Sequence, residues 1–249
     1  MQTFDDGGPQ CSRLTFLTYS QSTDAVDLSK LQRVRKVVSR SQSGVHGKIA
    51  DAAFHRSRHG ESQNELRGIR VMLATSMVDS LQEQPFFLEY HSAGKKHRYT
   101  PDLLAVWKNF REAIEIKEDS EADKPDTQER VALIEKLLRE YGFHFRVWRR
   151  SEICAEPRLS NAILMLRYRR VEVSPMEHEQ IRQSFCALSQ VALRQFHDSK
   201  SVAVQSVLRL VLAGELHIDW WKPLTLDSTV SVVPIGHQVW PRPPMVLLH

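Results

Sequence analysis

Two short segments near the middle of the chain constrain its fold most: residues 99–102 (Tyr-Thr-Pro-Asp) and residues 113–117 (Ala-Ile-Glu-Ile-Lys). The pattern around them predicts, in order, strand 86–90, turn 93–94, strand 97–107, turn 108–110 and strand 111–117. Successive side chains of a strand alternate between its faces, so Glu115 and Lys117 share one face. Asp102 can face them from the neighbouring antiparallel strand. We therefore expect two acids and a lysine to meet near the strand ends.

This combination of side chains suits the hydrolysis of a phosphodiester. Converging carboxylates favour a hard divalent cation with oxygen ligands, Mg²⁺ or Mn²⁺. A lysine beside the cation can orient or deprotonate a water molecule. Taken singly, each residue has an ordinary alternative: Lys117 as a strand-end partner of Glu115, and Asp102 as a turn residue after Pro101. Together on predicted strands, they favour the catalytic interpretation.

The order Pro-Asp, spacer, Glu-x-Lys resembles the signature of the PD-(D/E)xK nucleases. An amphipathic helix is predicted over residues 126–141 and a further strand over 143–148. The resulting order of three strands, a helix and a strand is the one that the core of those nucleases uses. The resemblance implies a restriction-endonuclease-like α/β fold, a mixed sheet flanked by helices.

The helix predicted over residues 61–81 supplies a third acid. Its apolar stripe consists of Leu66, Ile69, Met72, Leu73, Met77 and Leu81. Glu65 lies four residues before Ile69, on the inward edge of that stripe, from which it could complete the cation site. The alternative is a first-turn acid that the helix dipole favours, which is the interpretation we give to Glu61. Pro85 then leads the chain into the first strand of the sheet.

Charge is distributed unevenly along the chain. The net charge is +4 and the pI about 9.0, which mildly favours a polyanionic partner. Residues 142–170 hold seven arginines and two glutamates, whereas residues 112–129 hold eight acids and two lysines. An acidic patch beside a basic one suits a metal site next to a phosphate track. The predicted DNA contacts are Lys95, Lys96, Arg98, Arg149 and Arg150, with structural ion pairs as the alternative for the last two.

Cysteines and hydropathy indicate a cytoplasmic protein. The three cysteines, Cys11, Cys154 and Cys186, are far apart and form no CxxC motif, so neither a disulfide framework nor a zinc site is expected. No apolar run reaches the length of a membrane span, and the first residues lack the features of a signal peptide.

The N-terminal part of the chain is less informative. We expect an extension over residues 1–30, and residues 31–60 are basic, with Gly44 and Gly47 as breaks. His55 and His59 have a helical metal spacing, but no further ligands lie near them in the sequence, so a metal role is not favoured.

The C-terminal part predicts a second, smaller domain. Helices are predicted over 158–169, 176–197 and 201–213, with Gly214 as the last cap, and strands over 216–221 and 229–234. Helices followed by a hairpin are typical of a winged-helix module, which binds DNA or proteins. Trp220 and Trp221 could stack on bases, although core packing is the more frequent role. The predicted domains are residues 31–172, the nuclease, and 173–249, the winged helix with an extended tail.

As a whole, the ordered features resemble the TnsA-type endonuclease subunit of heteromeric bacterial transposases, over roughly residues 33–235. They are the basic segment 35–41, Ser-Gln-Asn-Glu at 62–65, Glu-Gln-Pro at 83–85, Tyr-Thr-Pro-Asp at 99–102, Glu-Ile-Lys at 115–117 and the hairpin start at 214–219. Asn64 departs from the family pattern, in which an apolar residue usually precedes the helix glutamate.

The resemblance implies roles for individual residues and partners. Glu65, Asp102 and Glu115 would hold two Mg²⁺ ions, with Mn²⁺ able to substitute, and the Ile116 carbonyl would be a further ligand. Lys117 would position the attacking water. The protein would nick the strand that ends 5′ at each transposon end in double-stranded DNA. An integrase-like subunit of the TnsB type would cut the other strand, and an AAA+ regulator of the TnsC type would dock on the C-terminal domain.

Other functions remain open from the sequence alone. A free-standing restriction or repair endonuclease would cut at its own sequence without a partner. A winged-helix DNA-binding protein with a degenerate nuclease domain, or a scaffold between transposase and regulator, would not cut at all. The intact Asp102, Glu115 and Lys117 count against both non-catalytic alternatives.

Overall fold

A computed structural model describes residues 2–5, 12–18, 31–32, 47–51, 56–60, 62–76, 78–199 and 202–236. The strands are β1 (Gln2–Asp5), β2 (Arg13–Thr18), β3 (Leu31–Gln32), β4 (Gly47–Asp51), β5 (Arg56–Gly60), β6 (Val78–Glu83), β7 (Phe86–Ser92), β8 (Lys95–Tyr99), β9 (Leu103–Trp107), β10 (Phe110–Lys117), β11 (His144–Arg149), β12 (Gln190–Ala192) and β13 (Thr229–Ser231). The helices are α1 (Gln63–Leu73), α2 (Asp119–Ala122), α3 (Pro125–Glu140), α4 (Arg150–Ile153), α5 (Arg158–Met165), α6 (Pro175–Ser184), α7 (Leu193–Ser199) and α8 (Val204–Ala213). Predictions on 33–46, His55, Glu61, Met77 and the tail beyond 236 fall outside the described residues.

The described residues fall into two compact units. The first takes the chain up to residue 48, residues 58–66 and residues 78–153, and the second takes the rest. The domain boundaries predicted at 30/31 and 172/173 stay predictions. Within the described ranges, no helix combines the length and the apolar character that crossing a bilayer requires.

Two β-sheets form the framework of the first unit. One has the order β1-β2-β7-β8, with β3 beside β2, and its pairs are antiparallel. The other has the order β11-β10-β9-β6 and is mixed, because β10 and β11 run parallel while the other neighbours are antiparallel. A parallel pair needs a long crossover, and α2 and α3 provide it. The α/β architecture with a mixed sheet, predicted from the sequence, is confirmed.

Apolar side chains from both sheets and α3 meet in one core. Phe86 is fully buried, and its ring lies 5.3 Å from those of Phe16 and Phe143, measured between centroids. The cluster also contains Leu14, Leu88, Tyr90, Leu104, Ala113, Ile134, Leu137 and Leu138. Burying such side chains stabilises the fold by about 1.5–3 kcal/mol each. Because β2 contributes Leu14 and Phe16, a strand that the sequence pattern did not predict is part of this core.

The strand predicted over residues 97–107 was wrong, because the chain changes sheets within it. β8 ends at Tyr99 in the first sheet, and β9 starts at Leu103 in the second. Pro101 has no N–H to donate to a strand ladder, which favours the break at this point. The turn at 93–94 is confirmed, with positive φ angles at Ala93 and Gly94. The second turn is shorter than predicted, since Phe110 already belongs to β10.

The helix predicted over residues 61–81 is also too long. α1 ends at Leu73, and β6 pairs with β9 from Val78 onward. Near the helix end, the Thr75 hydroxyl donates to the Val71 carbonyl at 3.0 Å. The apolar residues at 78 and 81 fit a helical stripe and a buried strand equally well, and pairing with β9 decides between them. The stripe residues Leu66, Ile69, Met72, Leu73 and Leu81 are buried as predicted.

The C-terminal part of the second unit alternates short helices and strands. The helix predicted over 176–197 is interrupted, since α6 ends at Ser184 and is followed by β12 and α7. β12 pairs with β13, and the strand predicted over 216–221 is reduced to one bridge between His217 and Ser231. Asp219 ends that extended segment, because its carboxylate accepts the Trp221 N–H at 3.1 Å. The predicted strand over 229–234 is β13, which ends at Ser231.

Gly214 ends α8 in the left-handed conformation, with φ at 81°, as predicted. An added Cβ would lie 2.8 Å from the Ser76 Oγ atom. The position therefore requires glycine both for its backbone conformation and for space.

An ion pair on β10 and β11 supports the second sheet. Glu112 is 2% exposed and its Oε1 accepts from Arg146 Nε at 2.7 Å. We expect Arg146→Met to lower the free energy of unfolding by about 3–5 kcal/mol, because it leaves a buried carboxylate unpaired. Arg139→Met is the control, since its pair with Glu135 is exposed and such helix pairs contribute about 0.3–0.5 kcal/mol. Urea denaturation of both variants measures the difference, and equal effects would contradict the prediction.

Candidate active site

Asp102 is held between the two sheets by its backbone and its side chain. It lies directly before β9, and its carbonyl accepts the Gln84 N–H at 2.9 Å. Its carboxylate Oδ2 accepts the Ile116 N–H at 2.6 Å. Ile116 stands between Glu115 and Lys117, so this bond fixes Asp102 against the last residues of β10. The prediction that Asp102 faces them is met, although Asp102 lies before β9 and not within a strand.

Glu115 and Lys117 leave the same face of β10, as strand alternation predicts. Lys117 Nζ lies 2.6 Å from Glu115 Oε1. The other carboxylate oxygen of Glu115, Oε2, accepts a hydrogen bond of 2.8 Å from the Tyr99 hydroxyl. Glu115 is 9% exposed, and these two partners satisfy the oxygens of its buried carboxylate.

Negative charge accumulates around Asp102. Burial raises the pKa of Asp102 well above its usual value, and the charges of Glu115 and Glu65 raise it further. The hydrogen bond from the Ile116 N–H and the charge of Lys117 act in the opposite direction. Glu65, near the start of α1, is therefore close enough to act electrostatically on Asp102. Asp102, Glu115 and Lys117 thus meet at the end of β10, and the charge of Glu65 acts on Asp102 as well.

The donor set fits a hard divalent cation. Carboxylate oxygens, which Glu65, Asp102 and Glu115 supply, are the ligands that Mg²⁺ and Mn²⁺ prefer. Within the part of the chain that the structure describes, no three acidic, histidine or cysteine side chains are already arranged as a ligand set. Glu115, for example, uses both oxygens for Tyr99 and Lys117.

The predicted DNA-contacting residues lie on two segments of the first unit. Lys95, Lys96 and Arg98 are exposed on β8, the edge strand of its sheet. Lys96 lies 3.2 Å from Glu89, and the Arg98 guanidinium lies over the Phe87 ring, 3.6 Å from its centroid.

Arg149 and Arg150, at the end of β11 and the start of α4, are paired with acids. Arg149 lies 2.7 Å from Asp123, and Arg150 lies 3.6 Å from Glu118. The Asp119 carboxylate accepts the Ser151 N–H at 3.0 Å, which ties the loop at α2 to the first turn of α4. Both arginines therefore form the ion pairs that were the alternative to DNA contacts. A role for them in DNA binding stays a prediction.

Sequence reasoning missed three residues around the site: Tyr99, Asn64 and Glu118. Tyr99 belongs to the motif itself, but its contact with Glu115 depends on the change of sheets after residue 99, which the pattern did not show. The sequence did hint at a role for Asn64, because it is polar at a position where an apolar residue was expected. In the structure Asn64 is buried, with 8% of the residue exposed. Its amide donates to Glu118 Oε1 at 2.6 Å.

Removal of the Tyr99 hydroxyl should destabilise the protein. We expect Tyr99→Phe to lower the free energy of unfolding by about 1.5–3 kcal/mol, the range for a hydrogen bond to a charged group. Burial and the Glu115 charge raise the pKa of Tyr99 well above 10. The folded state therefore holds this proton more tightly than the unfolded state, so the contribution is fully present below pH of about 10 and declines above it.

Thermal unfolding at pH 7 and pH 10.5 measures this effect. Tyr168→Phe, a tyrosine of the second unit, is the control variant. A Tyr99→Phe protein as stable as the wild type at pH 7 would contradict the prediction.

Comparison with known proteins agrees with this description. Residues 75–149 match the family described as TnsA-like endonuclease N terminal. No curated protein matches the chain. Among solved structures, protein VC1899 from Vibrio cholerae is 12% identical with a TM-score of 0.27, over 61% of this chain and 31% of that one. So low a score carries no argument about the fold.

The family match covers β6 to β11, and with them Asp102, Glu115 and Lys117, whereas Glu65 lies before it. Over residues 75–149, the resemblance to a TnsA-type nuclease that the sequence motifs indicated is therefore confirmed.

Proposed function

We propose that this protein is a metal-dependent DNA endonuclease that serves as a subunit of a heteromeric transposase. It nicks the strand that ends 5′ at each transposon end, so that the element is excised by cut-and-paste transposition. The observation that carries the proposal is the meeting of Asp102, Glu115 and Lys117 within the segment that resembles TnsA-type nucleases.

The acids in this site have a shared role. Glu65, Asp102, Glu115 and the Ile116 carbonyl would hold Mg²⁺ or Mn²⁺, and two ions suit this number of oxygen donors. When bound, the cations stabilise the attacking and leaving oxygens of an in-line displacement. The bond from Ile116 N to Asp102 fixes one carboxylate against β10 before any ligand arrives.

Lys117 acts on the attacking water. Its Nζ lies 2.6 Å from Glu115 Oε1, so a water held near that carboxylate is within reach of the ammonium group. Water attacks phosphorus, the bond from phosphorus to the 3′ oxygen breaks, and the departing oxygen gains a proton. Lys117 orients the water for that attack.

Basic side chains near the site supply the contacts with the DNA backbone. Lys95, Lys96 and Arg98 form an exposed row on an edge strand, which suits non-specific phosphate contacts. Arg149 and Arg150 would exchange their acidic partners, Asp123 and Glu118, for phosphates when DNA binds. Each substitution that removes one phosphate-binding side chain should reduce the salt dependence of DNA binding by about one unit of slope.

The C-terminal region would be a winged-helix module that binds the partners. The order α6, β12, α7, α8, the bridge at His217 and then β13 supports this assignment. An AAA+ regulator of the TnsC type would dock there, and an integrase-like TnsB-type subunit would cut the second strand. Such a protein works on chromosomal DNA in the bacterial cytoplasm.

Nicking of a labelled duplex that carries a transposon end tests the proposal. The assay uses Mg²⁺ or Mn²⁺, with and without an integrase-like subunit of the TnsB type, and compares the wild type with Lys117→Ala. We expect cleavage of the 5′-ending strand that requires the partner, the cation and Lys117.

The other outcomes identify the alternatives. Cleavage by the protein alone at a defined sequence would indicate a free-standing endonuclease. DNA binding without cleavage under every condition would indicate a binding or bridging protein.

A further inference from the structure

Asn64 connects the two segments that carry the acids of the site. It directly precedes Glu65 in the first turn of α1, and its side-chain amide is buried, with 8% of the residue exposed. Its Nδ2 donates to Glu118 Oε1 at 2.6 Å, across 54 residues of sequence. Glu118 directly follows Lys117, the last residue of β10. The bond therefore joins the immediate neighbours of Glu65 and Lys117.

Two other contacts at the start of α1 are local. The Ser62 hydroxyl accepts the Glu65 N–H at 3.1 Å, and the Ser62 carbonyl accepts the Leu66 N–H at 3.2 Å. These bonds define where the helix begins, but they do not set its distance from β10. The bond between Asn64 and Glu118 does, because its two ends lie on α1 and on the residue that follows β10.

The second carboxylate oxygen of Glu118 forms an ion pair with Arg150. Arg150 Nη1 lies 3.6 Å from its Oε2 atom, so each oxygen of this carboxylate has a partner. The side chains of Glu118 and Arg150 are about half exposed, and such an ion pair contributes little stability alone. In the protein without DNA, the state in which Mn²⁺ affinity is measured, this pair keeps Oε1 directed at the Asn64 amide.

We propose that Asn64 is a positioning residue, whose hydrogen bond to Glu118 holds the start of α1, and with it Glu65, against the end of β10, so that Glu65 can join Asp102 and Glu115 in holding one cation. The inference rests on the proposed nuclease function and adds to it a residue that touches neither substrate nor metal. Removing a side chain that orients a metal ligand typically changes metal affinity about 10–100-fold.

The test compares cation binding and cleavage in six full-length proteins: the wild type, Asn64→Leu, Glu118→Ala, Glu118→Gln, Glu65→Gln and the double variant Asn64→Leu with Glu65→Gln. Mn²⁺ affinity is measured without DNA from the decrease of the free-ion EPR signal, and the Mg²⁺ concentration for half-maximal nicking is measured with the partner subunit. Asn64→Leu fills a similar volume without a donor. Glu118→Gln keeps an acceptor oxygen and removes the charge.

We expect Asn64→Leu and Glu118→Ala to weaken Mn²⁺ binding by about tenfold or more and to raise the Mg²⁺ requirement in parallel. Glu118→Gln should stay within about threefold of the wild type, because its amide oxygen still accepts the bond. Adding Glu65→Gln to Asn64→Leu should cause little further decrease in affinity, since Glu65 is then already misplaced.

Contrary results separate the positioning role from the nuclease function. If the wild type binds and cleaves while folded Asn64→Leu and Glu118→Ala match its Mn²⁺ affinity, the positioning role is wrong and the nuclease function stands. If Glu118→Gln is as weak as Glu118→Ala, the charge of Glu118 matters and the hydrogen bond does not, which also overturns the inference. A wild type that neither binds Mn²⁺ nor cleaves overturns the proposed function and the inference with it.

Discussion

Lys117→Ala is expected to reduce the rate of the proposed nicking at transposon ends by about 10²–10⁴-fold, the range that a positioned acid–base group contributes. Lys117 Nζ lies 2.6 Å from Glu115 Oε1, so in the proposed mechanism it can orient a water held at that carboxylate. Lys117 also balances part of the negative charge around Asp102. Removing it should therefore lower the single-turnover rate in Mg²⁺ while the protein stays folded.

Two further variants sharpen this result. Lys108→Ala removes an exposed lysine from the turn before β10, at the other end of the same strand, and should cleave as the wild type does. Lys117→Arg keeps the charge but changes its shape and hydrogen-bonding geometry, so a partial recovery would separate charge balance from water positioning. Wild-type rates for Lys117→Ala would remove Lys117 from the mechanism.

Asp102→Asn is expected to stabilise the metal-free protein and to abolish its stabilisation by Mg²⁺. The pKa of Asp102 is raised in the fold, so the folded state holds that proton more tightly than the unfolded state does. The stability that this proton provides is therefore lost as pH rises from the usual aspartate range through the raised pKa. At neutral pH the ionised form is destabilising, and asparagine removes that cost. The side-chain oxygen of the asparagine can still accept the hydrogen bond from the Ile116 N–H.

Thermal unfolding in a chelator and in Mg²⁺ tests both halves of this prediction. A cation at 100 times its dissociation constant stabilises the wild type by about 2.7 kcal/mol, or roughly 5–10 °C in Tm. In chelator, the Tm of Asp102→Asn should be higher than that of the wild type. Mg²⁺ should not raise the Tm of this variant further. Asp79→Asn, at an exposed position on β6, is the control for replacing an aspartate in the same sheet. A lower Tm in chelator, or an undiminished rise with Mg²⁺, would contradict the assignment.

Much of the site could be predicted because its residues lie close together in the sequence. Glu115 and Lys117 are two apart on one strand, so alternation alone puts them on one face. The strand and helix around them have strong patterns, and α3 differs from its prediction by a single residue at each end. Glu65 was harder to place from its sequence position, because its location depends on how the start of α1 lies against β10.

The features that the sequence did not show depend on distant pairing. β2 joins the core through contacts with β7, about seventy residues later, and no local pattern reveals such a partner. β6 resembles the end of a helix until β9 pairs with it. Asn64 looked like a departure from the family pattern, yet its buried amide has a partner in Glu118. Local propensity could not have indicated that bond, since its two ends are brought together only by the fold.

The passage of the chain from one sheet to the other has a consequence for how the residues around the site are assembled. Tyr99 ends a strand of the first sheet, Asp102 precedes a strand of the second, and both contact β10. Asp102, Glu115 and Lys117 meet at β9 and β10 of the second sheet, whereas Tyr99 reaches Glu115 only when the first sheet has packed against the second. Both carboxylate oxygens of Glu115 are therefore bonded only in a protein whose two sheets have come together.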